Sequence, residues 1–263
     1  MIKSLNTSFA AALVALCAMP LTANAQDEEG RTRIGLGPQF VPSYPGADGV
    51  VLRPLGDFSR ADEGEEFAFE APDENFGFVL VDTGRLSFGP VAGLEGSRSS
   101  SDTSGLLPDV DLSIELGGFV QAYVSDALRL RTEVRQGVTG HEGLIADLSA
   151  DYVMRDGDRQ VISIGPRLSF ADARYQGAYF GVDPVNAFPP LLPAYDPDGG
   201  LQSVGAALGV TQQFNERWGI VGYAKYDRLV GDAGDSPVVA RFGSKDQYAG
   251  GVALTYTFDG KLF

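Results

Sequence analysis

Between Ala127 and Gln136 the chain reads Ala-Leu-Arg-Leu-Arg-Thr-Glu-Val-Arg-Gln. In an extended chain Leu128, Leu130, Thr132 and Val134 share one side, while Arg129, Arg131, Glu133 and Arg135 share the other. A helix would mix the two sets around its circumference, so the period of two predicts a strand. Leu144 to Arg155 repeats the pattern. There Leu144, Ala146, Leu148, Ala150, Tyr152 and Met154 oppose Ile145, Asp147, Ser149, Asp151, Val153 and Arg155. From Val161 to Phe170, Ile162, Ile164, Leu168 and Phe170 stand against Ser163, Arg167 and Ser169. No stretch shows a sustained helical stripe, and glycines are scattered through the strands. The reading is all-β.

Working outward, twelve strands are expected: 31–41, 50–59, 65–70, 75–81, 85–96, 113–124, 127–138, 143–154, 159–180, 201–214, 217–230 and 246–258. The connections alternate in length. Asp82-Thr83-Gly84, Ser125-Asp126, Asp156-Gly157-Asp158 and Asn215-Glu216 are tight, whereas 97–112, 182–200 and 231–245 are long. A soluble barrel would turn its apolar faces inward; a membrane barrel turns them to lipid. Strands near ten residues, an even count and tight turns on one side with long loops on the other fit the membrane form. The expected fold is therefore an antiparallel transmembrane β-barrel of about 12 strands. On it, Arg129, Arg131, Glu133, Arg135, Asp147, Asp151 and Arg167 would face one lumen. Enclosed charges must pair or meet water. Opposite charges on neighbouring strands favour an occluded lumen over a narrow polar channel. Aromatic residues near the strand ends (Tyr123, Tyr152, Tyr175, Tyr179, Phe180, Trp218, Tyr223, Tyr226, Tyr248 and Phe258) fit interface girdles.

Composition narrows the function. Over 263 residues the chain carries 35 acidic and 20 basic residues, a formal charge of −15, which argues against nucleic acid as a partner. One Cys and one His exclude a Cys/His zinc site. Residues 1–25 read as an export signal: Lys3, the apolar run Phe9 to Met19, then Ala23-Asn24-Ala25 before a cut after Ala25. Leu16 stands where a lipobox before Cys17 needs a small residue, so lipidation is not expected. Residues 26–263 would form a single barrel domain in the cell outer membrane. His141, beside Glu142, reads as a solvated loop histidine, since no Ser lies in a Gly-x-Ser-x-Gly context. The acidic run Asp62-Glu63-Gly64-Glu65-Glu66, with Asp73-Glu74, lacks calcium-loop spacing and reads as a solvated charge run. No catalytic residue, cofactor or metal is expected, and the chain does not read as an enzyme. In the last strand Val252, Leu254, Tyr256 and Phe258 alternate and end on an aromatic residue, as an assembly signal read by the insertion machinery would. Five residues follow Phe258.

Several stretches together resemble the MipA/OmpV family of outer-membrane proteins. They are Ser43-Tyr44-Pro45-Gly46-Ala47-Asp48, Tyr179-Phe180-Gly181-Val182, Ala194-Tyr195-Asp196, Gly199-Gly200-Leu201 and Trp218. The run from Ala224 to Asp232, the segment Asp235-Ser236-Pro237-Val238-Val239 and the closing Tyr256-Thr257-Phe258 complete the likeness. The departures are the Pro-rich insert Phe188-Pro189-Pro190-Leu191-Leu192-Pro193, within the loop 183–200, and the tail beyond Phe258. The resemblance implies a non-enzymatic scaffold that joins a murein lytic transglycosylase to a murein synthase. Alternatives are a narrow passive channel or porin for small solutes, and a surface protein whose long loops bind ligands.

Overall fold

A computed structural model describes residues 30–260. The expected signal and its cleavage site lie outside the described residues. Twelve antiparallel strands form one curled sheet: β1 (Gly30–Pro42), β2 (Val50–Asp62), β3 (Phe76–Gly77), β4 (Val81–Asp82), β5 (Leu86–Glu95) and β6 (Ser113–Ser125). β7 (Leu128–Gly137), β8 (Leu144–Asp156), β9 (Gln160–Ala171), β10 (Gly200–Gln213), β11 (Trp218–Leu229) and β12 (Asp246–Asp259) complete it. The order is β2-β1-β12-β11-β10-β9-β8-β7-β6-β5-β3, with β4 also on β5, so neighbours in sequence are mostly neighbours in space. The first and last long strands pair with each other, Ile34 opposite Tyr256 and Leu36 opposite Leu254.

The side chains are sorted inside out. Leu116 and Leu254, each 52% exposed, with Leu36, Leu130, Val134, Ile164 and Val252, cover the outer surface. Arg129, at 0%, with Arg131, Glu133, Arg135 and Arg167, is buried on the concave face. A water-soluble barrel would invert this, because unpaired apolar area is costly in water and charge is costly out of it. The fold is an antiparallel transmembrane β-barrel.

Two of the expected strands fail, and both failures matter. No strand forms over 65–70, and 75–81 keeps only the stubs β3 and β4. Instead residues 65–75 leave the sheet and run as a strap across the concave face. Among the described residues no ladder joins β2 to β3 or β5, so one seam of the barrel lacks strand pairing. Its loop-side end is tight: a Cβ at Gly96 would collide with the Ser43 carbonyl and approach the Arg53 guanidinium. The third departure is the expected long strand over 159–180. It ends at Ala171, and Ala173–Phe180 is a helix, α1, whose first turn is capped by Asp172 accepting from the Tyr175 N–H at 2.8 Å. Tyr175, Tyr179 and Phe180 then fall on one helical face, a spacing the two-residue period conceals.

The tight turns 83–85, 126–127, 157–159 and 214–217 cluster at one end. Gly157 supplies the positive φ (53°) that its reversal requires. At the other end α1 packs with α2 (Gly231–Asp235), α3 (Pro237–Phe242) and the loops around Tyr44, Ala47 and Val110 into an apolar dome. Leu192, Val182, Leu107 and Val238 form its second layer.

Candidate functional site

The concave face of β6 to β11 carries a continuous charge network, and the strap completes it. All seven charges singled out from the sequence belong to it. Arg135 is the hub of the upper half: its Nε donates to Glu115 at 2.8 Å, and its Nη1 to Glu133 and Asp147, both at 2.8 Å. Arg131 meets Glu133 at 2.8 Å and lies over the Phe119 ring, its guanidinium carbon 3.7 Å from the centroid. Arg129 and Arg167 share Asp151, at 3.3 and 2.8 Å. Each arginine therefore has carboxylate partners, the condition under which enclosed charge is tolerable.

The remaining partners come from outside the wall the sequence pattern marked. Glu74 of the strap takes a two-pronged grip from Arg129, at 2.7 and 2.9 Å. Asp73 takes the same from Arg167, at 2.8 and 2.9 Å, and lies 3.9 Å from Lys225. Asn75 donates to Glu133 at 3.0 Å. Closer to the tight turns, Phe67 sits under the guanidinium groups of Arg31 and Arg33, and Phe69 packs with Ala71, Val153 and Val161. The wall makes room where the strap touches it. A Cβ at Gly93 would stand 2.9 Å from both Asn75 and Glu115, and one at Gly209 2.9 Å from Pro72. The expected solvated charge run thus divides. Asp62 to Glu66 is exposed, whereas Asp73 and Glu74 are buried ion-pair partners, a correction of the sequence reading. A polar cavity of about 50 Å³ remains between strap and wall, bordered by Asp73, Glu74, Arg131, Arg167 and Lys225, room for a few waters.

Lys225, Asp227, Glu115 and Gln121 were missed, although each has the inward parity of its strand. Val221, Tyr223, Lys225 and Asp227 alternate along β11, and Glu115, Phe119 and Gln121 along β6. The strap alternates only from Phe67 to Ala71, and its carboxylates Asp73 and Glu74, adjacent in sequence and beyond that stretch, had no such signal.

His141 is also placed differently from the solvated histidine expected. It is 3% exposed, beneath the dome, its ring centroid 4.5 Å from that of Tyr175. Its Nδ1 accepts from the Gly143 N–H at 3.0 Å, which leaves the proton on Nε2 to face Glu115 at 2.9 Å. The two ring nitrogens are both engaged. Tyr175, Tyr179 and Phe180 fill the dome rather than a girdle. Burial, and secondarily the Glu95 charge, pushes the phenols of Tyr175 and Tyr179 well above their ordinary range. Tyr179 donates to the Gly96 carbonyl at 2.8 Å. Arg98, whose pKa burial lowers, donates to the Tyr179 carbonyl at 2.6 Å, a cation set against the last turn of α1. Trp218 and Tyr256, edge to face at 4.8 Å, and Tyr226 and Tyr248, at 5.2 Å, mark the two ends of β11 and β12. Val252 and Leu254 project outward from β12, and Tyr256 and Phe258 continue that face.

Among the described residues no group of three or more His, Cys, Asp or Glu side chains is arranged to hold a metal ion. The family model described as MltA-interacting protein MipA matches residues 34–258. A comparison with curated proteins finds no match. Among solved structures, an outer membrane channel from Pseudomonas putida F1 is 14% identical, with a TM-score of 0.44 over 90% of this chain and 99% of that one. The Pseudomonas putida toluene transporter TodX is 12% identical, with a TM-score of 0.34 over 94% and 93%. Neisserial surface protein A is 9% identical, with a TM-score of 0.26 over 88% and 97%.

Proposed function

The chain belongs to the MipA family of MltA-interacting proteins, and from that premise we propose that it is a closed, non-enzymatic outer-membrane scaffold. Its partner would be a murein lytic transglycosylase, with a murein synthase as the second member of the assembly. The observation that carries this reading is the double filling of the barrel. The strap and its ion pairs block the middle, and the dome covers the long-loop end. A filled barrel suits a platform better than a passive pore. The absence of enzymatic chemistry is argued from His141, whose ring nitrogens are both committed to Gly143 and Glu115 and are not free to activate a nucleophile.

A platform also needs area, and tight turns offer little against the roughly 800 Å² per partner of a stable interface. The exposed run Asp62 to Glu66, from the end of β2 into the strap, widens the tight-turn end, where Arg31 bridges the Glu65 carbonyl and Asp158. Outward Val252, Leu254, Tyr256 and Phe258 supply the face that the insertion machinery would read and that lipid would then cover. Purified protein in planar bilayers should show no conductance steps, and immobilised transglycosylase should retain it. Stepwise conductance in the unmodified chain, or no retention on that resin, overturns the scaffold.

A second reading rests on the loop 183–200. It is pinned to the dome by buried Leu192 and Val182, while Val185, Phe188 and Leu191 project from it, Val185 at 88% exposure. Such a tip suits a surface ligand. Replacing these three by serine would abolish surface binding on this reading and leave transglycosylase retention intact.

A further inference from the structure

We propose that the wall formed by Arg129, Arg167 and Lys225 is a binding site for a small dicarboxylate, filled in this structure by the chain's own Asp73 and Glu74. Three observations support it. The first is geometry: each strap carboxylate is held by both prongs of one guanidinium, the arrangement by which arginine recognises a free carboxylate. The two forks flank Asp151, which fixes their separation, so the site fits two carboxylates on one short backbone rather than a single anion.

The second is attachment. Residues 66–75 form no strand and no ladder with the wall among the described residues. They are held at one end by Phe67 and Phe69, at the other by β3 on β5, and between these by the ion pairs and the Asn75 bond to Glu133. An internal ligand tethered in this way competes with a free one through its effective concentration, and is exchangeable in principle. The third is charge. Without Asp73 and Glu74, Arg129 and Arg167 would share the single carboxylate Asp151 and Lys225 would keep Asp227 with Asp147 farther off, so the wall beside the 50 Å³ cavity would lack two of its counter-charges.

The experiment is chemical rescue of the full chain, refolded in detergent, in which Asp73→Ala and Glu74→Ala are combined. The midpoint of heat-modifiable gel migration is measured with succinate, acetate and chloride at one ionic strength. Succinate should raise the variant's midpoint by about 3 °C or more relative to chloride. Acetate should do less, and adding Arg167→Gln should remove the difference. Equal effects of succinate and chloride overturn the proposal, as does an acetate effect equal to that of succinate. Should the alanine pair fail to fold, Asp73→Asn with Glu74→Gln keeps the packing and takes the same readings. The site does not rest on the scaffold function. Conductance of the unmodified chain would sink that reading without touching rescue by succinate, and failed rescue would leave the scaffold standing.

Discussion

The barrel holds two fillings of opposite chemistry. Its middle is filled with arginines and carboxylates, its long-loop end with tyrosine, phenylalanine, leucine and valine. The dome resembles an ordinary protein core: removing one side chain leaves a cavity, and the surroundings can partly relax into it. The charged filling has no such tolerance. Removing one member leaves its partners charged and enclosed with one counter-charge fewer, which costs more than the pair contributed. The same space-filling task is therefore graded in the dome and steeper in the middle.

Substitutions can sharpen or break that contrast. The largest effect is expected for Arg129→Gln, which leaves Glu74 only the longer pair with Arg131 at 3.7 Å and Asp151 only Arg167; unfolding followed by heat-modifiable migration should lose about 3–5 kcal/mol. A loss under about 1 kcal/mol would mean that water already compensates the interior, and the contrast would vanish. Next comes Phe180→Ala in the dome, at about 3 kcal/mol. Combined with Arg129→Gln, the two losses should add to within about 0.5 kcal/mol, since Arg129 sits in the ion-pair network and Phe180 in the apolar dome, with separate neighbours. His141→Ala lies at the boundary between the two fillings. It leaves Glu115 with Arg135 and orphans the Gly143 N–H, for about 1–2 kcal/mol, while transglycosylase retention stays unchanged. Glu66→Gln, which touches only the half-exposed pair with Arg155 at 3.3 Å, should cost less than about 0.5 kcal/mol.

Most of the wall was legible and most of what fills it was not. Leu128 to Arg135 announces its two faces because each side chain in a strand has only two directions to choose from. Lys225, Asp227 and Glu115 follow the same parity and were readable by it. Asp73 and Glu74 were not, because they lie side by side beyond the alternating stretch Phe67–Ala71, and a carboxylate bound for solvent looks the same in sequence as one bound for an arginine. His141 fails for the same reason. Its neighbours Gly140 and Glu142 are loop residues with positive φ, and only the packing of α1 above them buries the ring.

The sequence by itself determined that this is a strand-built chain, which side of each long strand is apolar, and the even alternation of tight and long connections. These are local properties, fixed by covalent periodicity and turn chemistry. The tertiary structure decided that one expected strand gives way to a strap and another shrinks to β3 and β4, that a third bends into α1, and that the interior is filled at two levels. Those outcomes depend on which distant charges and rings meet once the sheet curls, and no neighbouring residue in the chain records that meeting.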